Sequence, residues 1–145
     1  MRIIDKPTRF EFLTSIALKQ HFECLEVRPN YHVDDEGLPT FTAAGGLADI
    51  ECFDTDNNPV EVTLMTARTQ ATNEIPAITR HLQETKEKYP DKLVFSILVA
   101  PSIHADTKYM TGYPKFQFKA DILTYTTEEF VKQINSISKI KNLLT

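Results

Sequence analysis

Apolar and polar residues alternate along 47–54 and again along 59–66, on either side of the turn-forming stretch DTDNNP. That pattern predicts a half-buried β-hairpin. Residues 92–100, KLVFSILVA, are almost continuously apolar and rich in β-formers, which predicts a strand covered on both faces. A shorter strand is expected at 121–126. The stretch 8–23 carries strong helix formers, no Gly or Pro, and apolar residues on most sides, so it predicts a largely buried helix started by Pro7 and Thr8. A second helix is expected over 72–88, with Pro76 tolerated in its first turn. A short helix is expected near 104–112, and another over 126–137 opened by a Thr cap and first-turn Glu. Residues 28–46 hold Pro29, Gly37, Pro39, Gly45, Gly46 and an acidic run, and read as a long loop with room for one short strand near 38–42. The order α-β-β-α-β-α-β-α predicts an α/β fold: one central mixed sheet with helices on both faces, undivided by any linker.

Composition narrows the classes without naming one. At 145 residues the chain has the size of one domain. Cys24 and Cys52 make no disulfide framework, so reduced thiols in a cytoplasmic protein are expected. No apolar run is long enough to span a membrane. The net charge of −4 argues against strong nucleic-acid binding through bulk charge alone. No Gly-rich phosphate loop and no Ser or Cys nucleophile motif is present, against nucleoside-triphosphatase and acyl-transfer chemistry.

The hairpin is where the chemistry gathers. Residues two apart share a face, so Asp49, Glu51 and Phe53 point one way, with Glu61, Thr63 and Met65 on the second arm. Such a row reads either as a solvated outer face or as a site. Like charges across a hairpin repel, and no Lys or Arg lies between residues 29 and 67 to offset them. On the first helix Glu11 leads a stripe through Ser15, Leu18 and Phe22; a carboxylate there is either an N-terminal acid favoured by the helix dipole or one that something must satisfy. Glu74 and His81 lie two turns apart on the second helix, flanking the stripe Ile75, Ile78 and Leu82. A lone His there is more often structural, and Glu51 reads as exposed. Several carboxylates brought together need raised pKa values or cations. An all-oxygen set suits Mg²⁺ or Mn²⁺ better than zinc, for which no Cys or His pair shows ligand spacing.

These residues resemble a known family. A helical Glu, an Asp at the start of a hairpin and a Glu on its second arm are similar to the PD-(D/E)XK nuclease pattern. More narrowly, the stretches PTRFEFLTSIAL, GGLADIE, VEVTL and EIPAITRHL resemble the catalytic domain of AlwI-like type IIS restriction endonucleases and related nicking enzymes, from about residue 5 to beyond 125. The resemblance implies a restriction-endonuclease-like core and phosphodiester hydrolysis. It implies that Asp49 and Glu61 are the central metal ligands, completed by Glu11 and the backbone carbonyl of Val62, with Mg²⁺ as the cofactor and Mn²⁺ able to substitute. Glu74 and His81 match polar positions of the subgroup on the following helix. Where the wider superfamily places a Lys, this chain has Thr63, which leaves the general base open between His81 and a metal-activated water.

The implied substrate is double-stranded DNA, cut one strand per domain. Enzymes of this type carry a separate recognition region, and no helix-turn-helix, zinc finger or basic patch is visible here. The expectation is a single cleavage domain over 1–145. It would work with a larger DNA-reading subunit or tethered domain, with homodimerisation through the catalytic domain as a further option. The rival readings are a non-catalytic dimerisation or scaffolding subunit of the same fold, and a repair or structure-specific nuclease.

Overall fold

The computed structural model describes residues 5–41, 48–65 and 71–144. Helix α1 (Lys6–His21) begins two residues before the expected start, because the Asp5 carboxylate accepts from the Thr8 N–H at 2.8 Å and caps it. It is not largely buried. Thr8, Glu11, Ser15 and Leu18 face inward, while Leu13 and Ile16 on other sides are exposed. Strand β1 (Glu26–Pro29) follows, within a stretch expected partly as loop. Pro29 disguised it in the sequence, and an edge strand tolerates a proline that cannot donate to a ladder. Strands β2 (His32–Val33) and β3 (Pro39–Phe41) pair with each other in a small separate ladder.

The hairpin is formed by β4 (Ile50–Phe53) and β5 (Pro59–Leu64), shorter than the alternation suggested. The expected extensions at 47 and 66 lie outside the described residues. Its turn is closed by Asp54 Oδ1, which accepts from the N–H groups of Asp56 and Asn58, both at 2.9 Å, and Asn57 takes a left-handed conformation with φ of 61°. Helix α2 (Ala71–Lys88) places Pro76 in its second turn rather than its first, so one backbone hydrogen bond of the helix is forgone. Strand β6 (Phe95–Ala100) is buried along its whole length. Two short helices, α3 (Ala105–Met110) and α4 (Gly112–Phe118), stand where one was expected, and lead to β7 (Ile122–Thr126). Helix α5 (Thr127–Asn135) is capped as expected by Thr126, and a 3₁₀ turn over Ile140–Leu144 ends the described chain.

The main sheet runs β1-β4-β5-β6-β7. Its β1, β4 and β5 are antiparallel neighbours, whereas β5, β6 and β7 are parallel. It is the mixed sheet, flanked by helices, that the element order predicts. One face buries Ile50, Cys52, Val60, Val62, Ile97 and Val99 against α1, α5 and the 3₁₀ turn. The other packs Leu98 and Ile122 against Ile75, Ile78 and Leu82 of α2. Each fully buried aliphatic side chain contributes roughly 1.5–3 kcal/mol, and both layers hold the hairpin rigid between them.

Candidate functional site

Register decides which acids meet. Ile50 pairs with Val62 and Glu51 with Glu61 across the hairpin, and Glu61 stands beside Ser96 on β6. Glu51, Glu61 and Thr63 therefore share the sheet face that α2 covers, as the alternation predicts. Asp49 departs from that expectation: it precedes the paired strand and meets Glu11 of α1, while its neighbour Ala48 lines the α2 side.

Glu61 is 5% exposed. The Thr85 hydroxyl donates to its Oε1, and Ser96 Oγ lies 3.5 Å from Oε2. His81 Nε2 stands 3.3 Å from Oε1, and His81 Nδ1 3.7 Å from Glu84 Oε2. Burial pushes the Glu61 carboxyl above its ordinary range; Thr85, His81 and Ser96 pull it down, and the facing Glu51 adds to the rise. A cleft of about 250 Å³ opens beside it, lined by Glu61, Thr63, Glu74, Arg80, His81 and Glu84 among others. Glu74 and His81, two turns apart on α2, thus open onto the same space.

Asp49 and Glu11 form a second group. Glu11, on the inward stripe of α1, is 3% exposed, and its side chain is hydrogen-bonded to that of Asp49. The Leu64 N–H donates to Asp49 Oδ2 at 2.7 Å. Burial raises the Asp49 carboxyl, against the lowering effect of the Glu11 and Leu64 hydrogen bonds. Two carboxyl groups in hydrogen-bond contact share a proton unless a cation replaces it. The Val62 side chain is buried on the opposite face, leaving only its backbone to face any ion.

The six side chains named from the sequence therefore fall into two neighbouring sets, Glu11 with Asp49 and Glu61 with Thr63, Glu74 and His81. Among the described residues no group of three or more His, Cys, Asp or Glu is poised to hold a metal ion. The donor chemistry still fits a hard cation. Glu11 and Glu61 are buried and Asp49 is half-buried, and burial raises the carboxyls of Asp49 and Glu61. Mg²⁺ takes one or two carboxylates and keeps its waters, so it does not demand a closed protein cage.

Three participants were not singled out beforehand. Ser96 is the one polar residue in the strand FSILVA, and that interruption was a usable signal. Thr85 lies one turn beyond His81 on the same helix line. Asn30 Nδ2 bridges Glu51 Oε1 at 3.1 Å and the Ala48 carbonyl at 2.8 Å, and no spacing rule links it to the hairpin. Glu51, expected to be exposed, is half-buried by this contact. Both cysteines are free, and burial with the Glu51 charge pushes the Cys52 thiol up to about 12. No helix among the described residues is long and apolar enough to cross a membrane.

The architecture has counterparts. The small subunit (R.BspD6I2) of the heterodimeric restriction endonuclease R.BspD6I superposes with a TM-score of 0.78 at 22% identity, covering 98% of this chain and 77% of that one. An EndoMS–dsDNA complex gives a TM-score of 0.49 at 18% identity over 87% of this chain and 47% of that one. A repair endonuclease from Pyrococcus abyssi gives 0.48 at 17% identity over 87% and 50%. No curated protein sequence matches significantly. The family described as AlwI restriction endonuclease matches residues 3–133, nearly the whole chain, and with the nuclease-like sheet already in place the chain belongs to the AlwI restriction endonuclease family.

Proposed function

We propose that this chain is the cleavage domain or small subunit of a type IIS restriction system, a Mg²⁺-dependent endodeoxyribonuclease. The observation that carries the reading is the set of carboxylates gathered at the end of the hairpin, buried Glu61 beside the cleft and half-buried Asp49 hydrogen-bonded to buried Glu11. Asp49 and Glu61 would hold the ion, with Glu11 and the Val62 carbonyl completing its protein ligands. When bound, Mg²⁺ or Mn²⁺ supplies neutralisation of phosphate charge and a lowered pKa for water.

The chain's own groups do the rest. Thr85 and Ser96 fix the Glu61 carboxylate from opposite oxygens. His81, anchored between Glu61 and Glu84, takes up the proton of the attacking water as its oxygen bonds to phosphorus. The bond from phosphorus to the 3′ oxygen breaks, that oxygen takes a proton from solvent water, and protonated His81 returns its proton to solvent. Glu74 borders the cleft and helps to orient the water. Thr63, without an ammonium, shapes the cleft but supplies no charge.

The chain is read as one nuclease domain, with recognition supplied by a tethered region or a larger subunit. That the structural relative is the small subunit of a heterodimeric restriction enzyme supports a DNA-reading partner chain. A second reading, a non-catalytic scaffold of the same fold, is favoured by one observation, that among the described residues the acids form two separate sets rather than one metal-holding cluster.

Calorimetric titration with Mg²⁺ separates the two. Wild type should give a binding heat that Asp49→Ala and Glu61→Ala both lose while remaining folded. Heats that do not differ among the three proteins would establish the scaffold. Supercoiled plasmid incubated with Mg²⁺, with and without a partner subunit, then reads the activity; robust cutting by the chain alone would sink the small-subunit assignment.

A further inference from the structure

Asn30, which follows the last residue of β1, holds two consecutive carbonyls of the chain entering β4. Its backbone N–H donates to the Asp49 carbonyl at 2.9 Å, and its Nδ2 donates to the Ala48 carbonyl at 2.8 Å. The first bond extends by one residue the antiparallel register in which Pro29 faces Ile50. The second belongs to no ladder, because successive carbonyls of an extended strand point to opposite neighbours. The same Nδ2 reaches Glu51 Oε1 at 3.1 Å, so one amide group grips the chain on both sides of Asp49.

On the β5 side the ladder fails at the same step. The Asp54 N–H donates to the Asn58 carbonyl, and bonded pairs recur at every second position of an antiparallel ladder. A continued register would therefore give the Ala48 carbonyl to the Leu64 N–H. That N–H goes instead to Asp49 Oδ2 at 2.7 Å, and the chain bends at Asp49. Two side chains thus stand in for one backbone bond: Asn30 takes the carbonyl that β5 gives up, and the Asp49 carboxyl takes the amide. Ala48 is buried, so either group without its substitute would carry an uncompensated desolvation cost. Beyond Asn30, Tyr31 meets Phe12 of α1 edge on, with ring centroids 6.0 Å apart. Residues 30 and 31 therefore tie the strand that follows Asp49 to the turn of α1 that carries Glu11.

We propose that Asn30 is a positioning residue for Asp49: by taking the Ala48 carbonyl out of the β4–β5 ladder, it turns the Asp49 carboxyl off the α2 face and onto Glu11, where the pair can share a divalent cation. This rests on the nuclease reading for the ion alone; the seat of Asp49 is measurable without metal.

The Leu64 amide reports that seat. In ¹H–¹⁵N spectra of the whole chain in EDTA, Asn30→Leu, which keeps the shape and removes the side-chain donor, should move the Leu64 resonance as Asp49→Ala does. It should also speed Leu64 hydrogen exchange by about tenfold. Asn30→Ala should do the same, and covers the case in which Asn30→Leu fails to fold. In calorimetric titration with Mg²⁺ well below the melting temperature, both variants should bind about tenfold more weakly than wild type. Glu51→Ala, which leaves the bond to Ala48, should bind Mg²⁺ as wild type does. A Leu64 amide unchanged in the Asn30 variants, with faster exchange confined to β1 and β4, makes Asn30 a strand-end brace and overturns the assignment. Mg²⁺ bound by the Asn30 variants as tightly as by wild type overturns it too. So does a loss in Glu51→Ala as large as in Asn30→Leu, since Asn30 would then act through Glu51. A displaced Leu64 amide with no Mg²⁺ heat from wild type upholds the seat of Asp49 and defeats the nuclease reading; Mg²⁺ heat from wild type, with Leu64 unmoved by the variants, does the reverse.

Discussion

The two faces of one sheet are built from the same strands and put to opposite uses. Toward α1 and α5, β4, β5 and β6 turn Ile50, Cys52, Val60, Val62, Ile97 and Val99, all buried and all apolar. Toward α2, the alternate positions of the same strands hold Glu51, Glu61, Thr63 and Ser96 before the apolar packing resumes at Leu98. The first face gains stability from every residue. The second gives some up, because each buried carboxylate costs desolvation that its hydrogen bonds only partly return. Their contrast locates function: where a strand buries acid on one side only, the fold is tolerating a cost on that side.

Substitutions on the two faces should therefore separate stability from activity. Glu61→Gln should lower Mg²⁺-dependent cleavage by about a thousandfold while leaving the melting temperature unchanged or higher, read by plasmid nicking and calorimetry. Ile97→Ala, one residue along β6 from Ser96 and on the opposite face, should cost about 2–5 kcal/mol in denaturant unfolding. If Glu61→Gln unfolds the protein as Ile97→Ala does, the acid is structural and the contrast collapses. Thr85→Val should weaken Mg²⁺ binding about tenfold in titration, since it removes a hydroxyl that orients Glu61 but no ligand.

pH sharpens the same comparison. The folded-state pKa values of Asp49 and Glu61 are raised, so between the ordinary carboxylate range and those values the native state binds more protons than the unfolded chain. The stabilising contribution is whole below the ordinary values, 3.8 for Asp49 and 4.5 for Glu61, and is lost as pH rises through the folded values. In EDTA, melting temperature should fall across that window for wild type and fall less for Glu61→Gln; added Mg²⁺ should offset the decline in wild type alone. Glu51→Ala should be the mildest change. Glu51 faces Glu61 across the ladder and is held by Asn30, so its removal should leave cleavage within about threefold and relieve some repulsion.

The hairpin was legible because period-two alternation is a local property: residues 50–53 and 60–64 announce their faces without reference to anything distant, whereas Asp49, just before the strand, turns to Glu11. The same holds for Glu74 and His81, which helical spacing alone places on one line. What was not legible depended on partners far along the chain. Strand β1 exists because β4 offers it an open edge, and Pro29 within it argued for a loop. Helix α1 carries apolar residues on most sides, yet Leu13 and Ile16 face outward because the sheet accepts only the stripe bearing Thr8, Glu11 and Leu18. The single helix expected near residue 110 is two, divided at Thr111, and only their packing on α2 creates an aromatic groove.

The sequence by itself determined that acids and aliphatic residues would part onto opposite faces of a mixed sheet, since strand pleat and helical turn are set within a few residues. Only the tertiary structure decided which acids meet. Register set Glu61 between Glu51 and Ser96, the seat of α2 brought Thr85 and His81 onto it, and the inward turn of α1 gave Asp49 the carboxyl of Glu11. Those partnerships join residues up to 38 positions apart, and a separation that long is closed by packing rather than by local propensity.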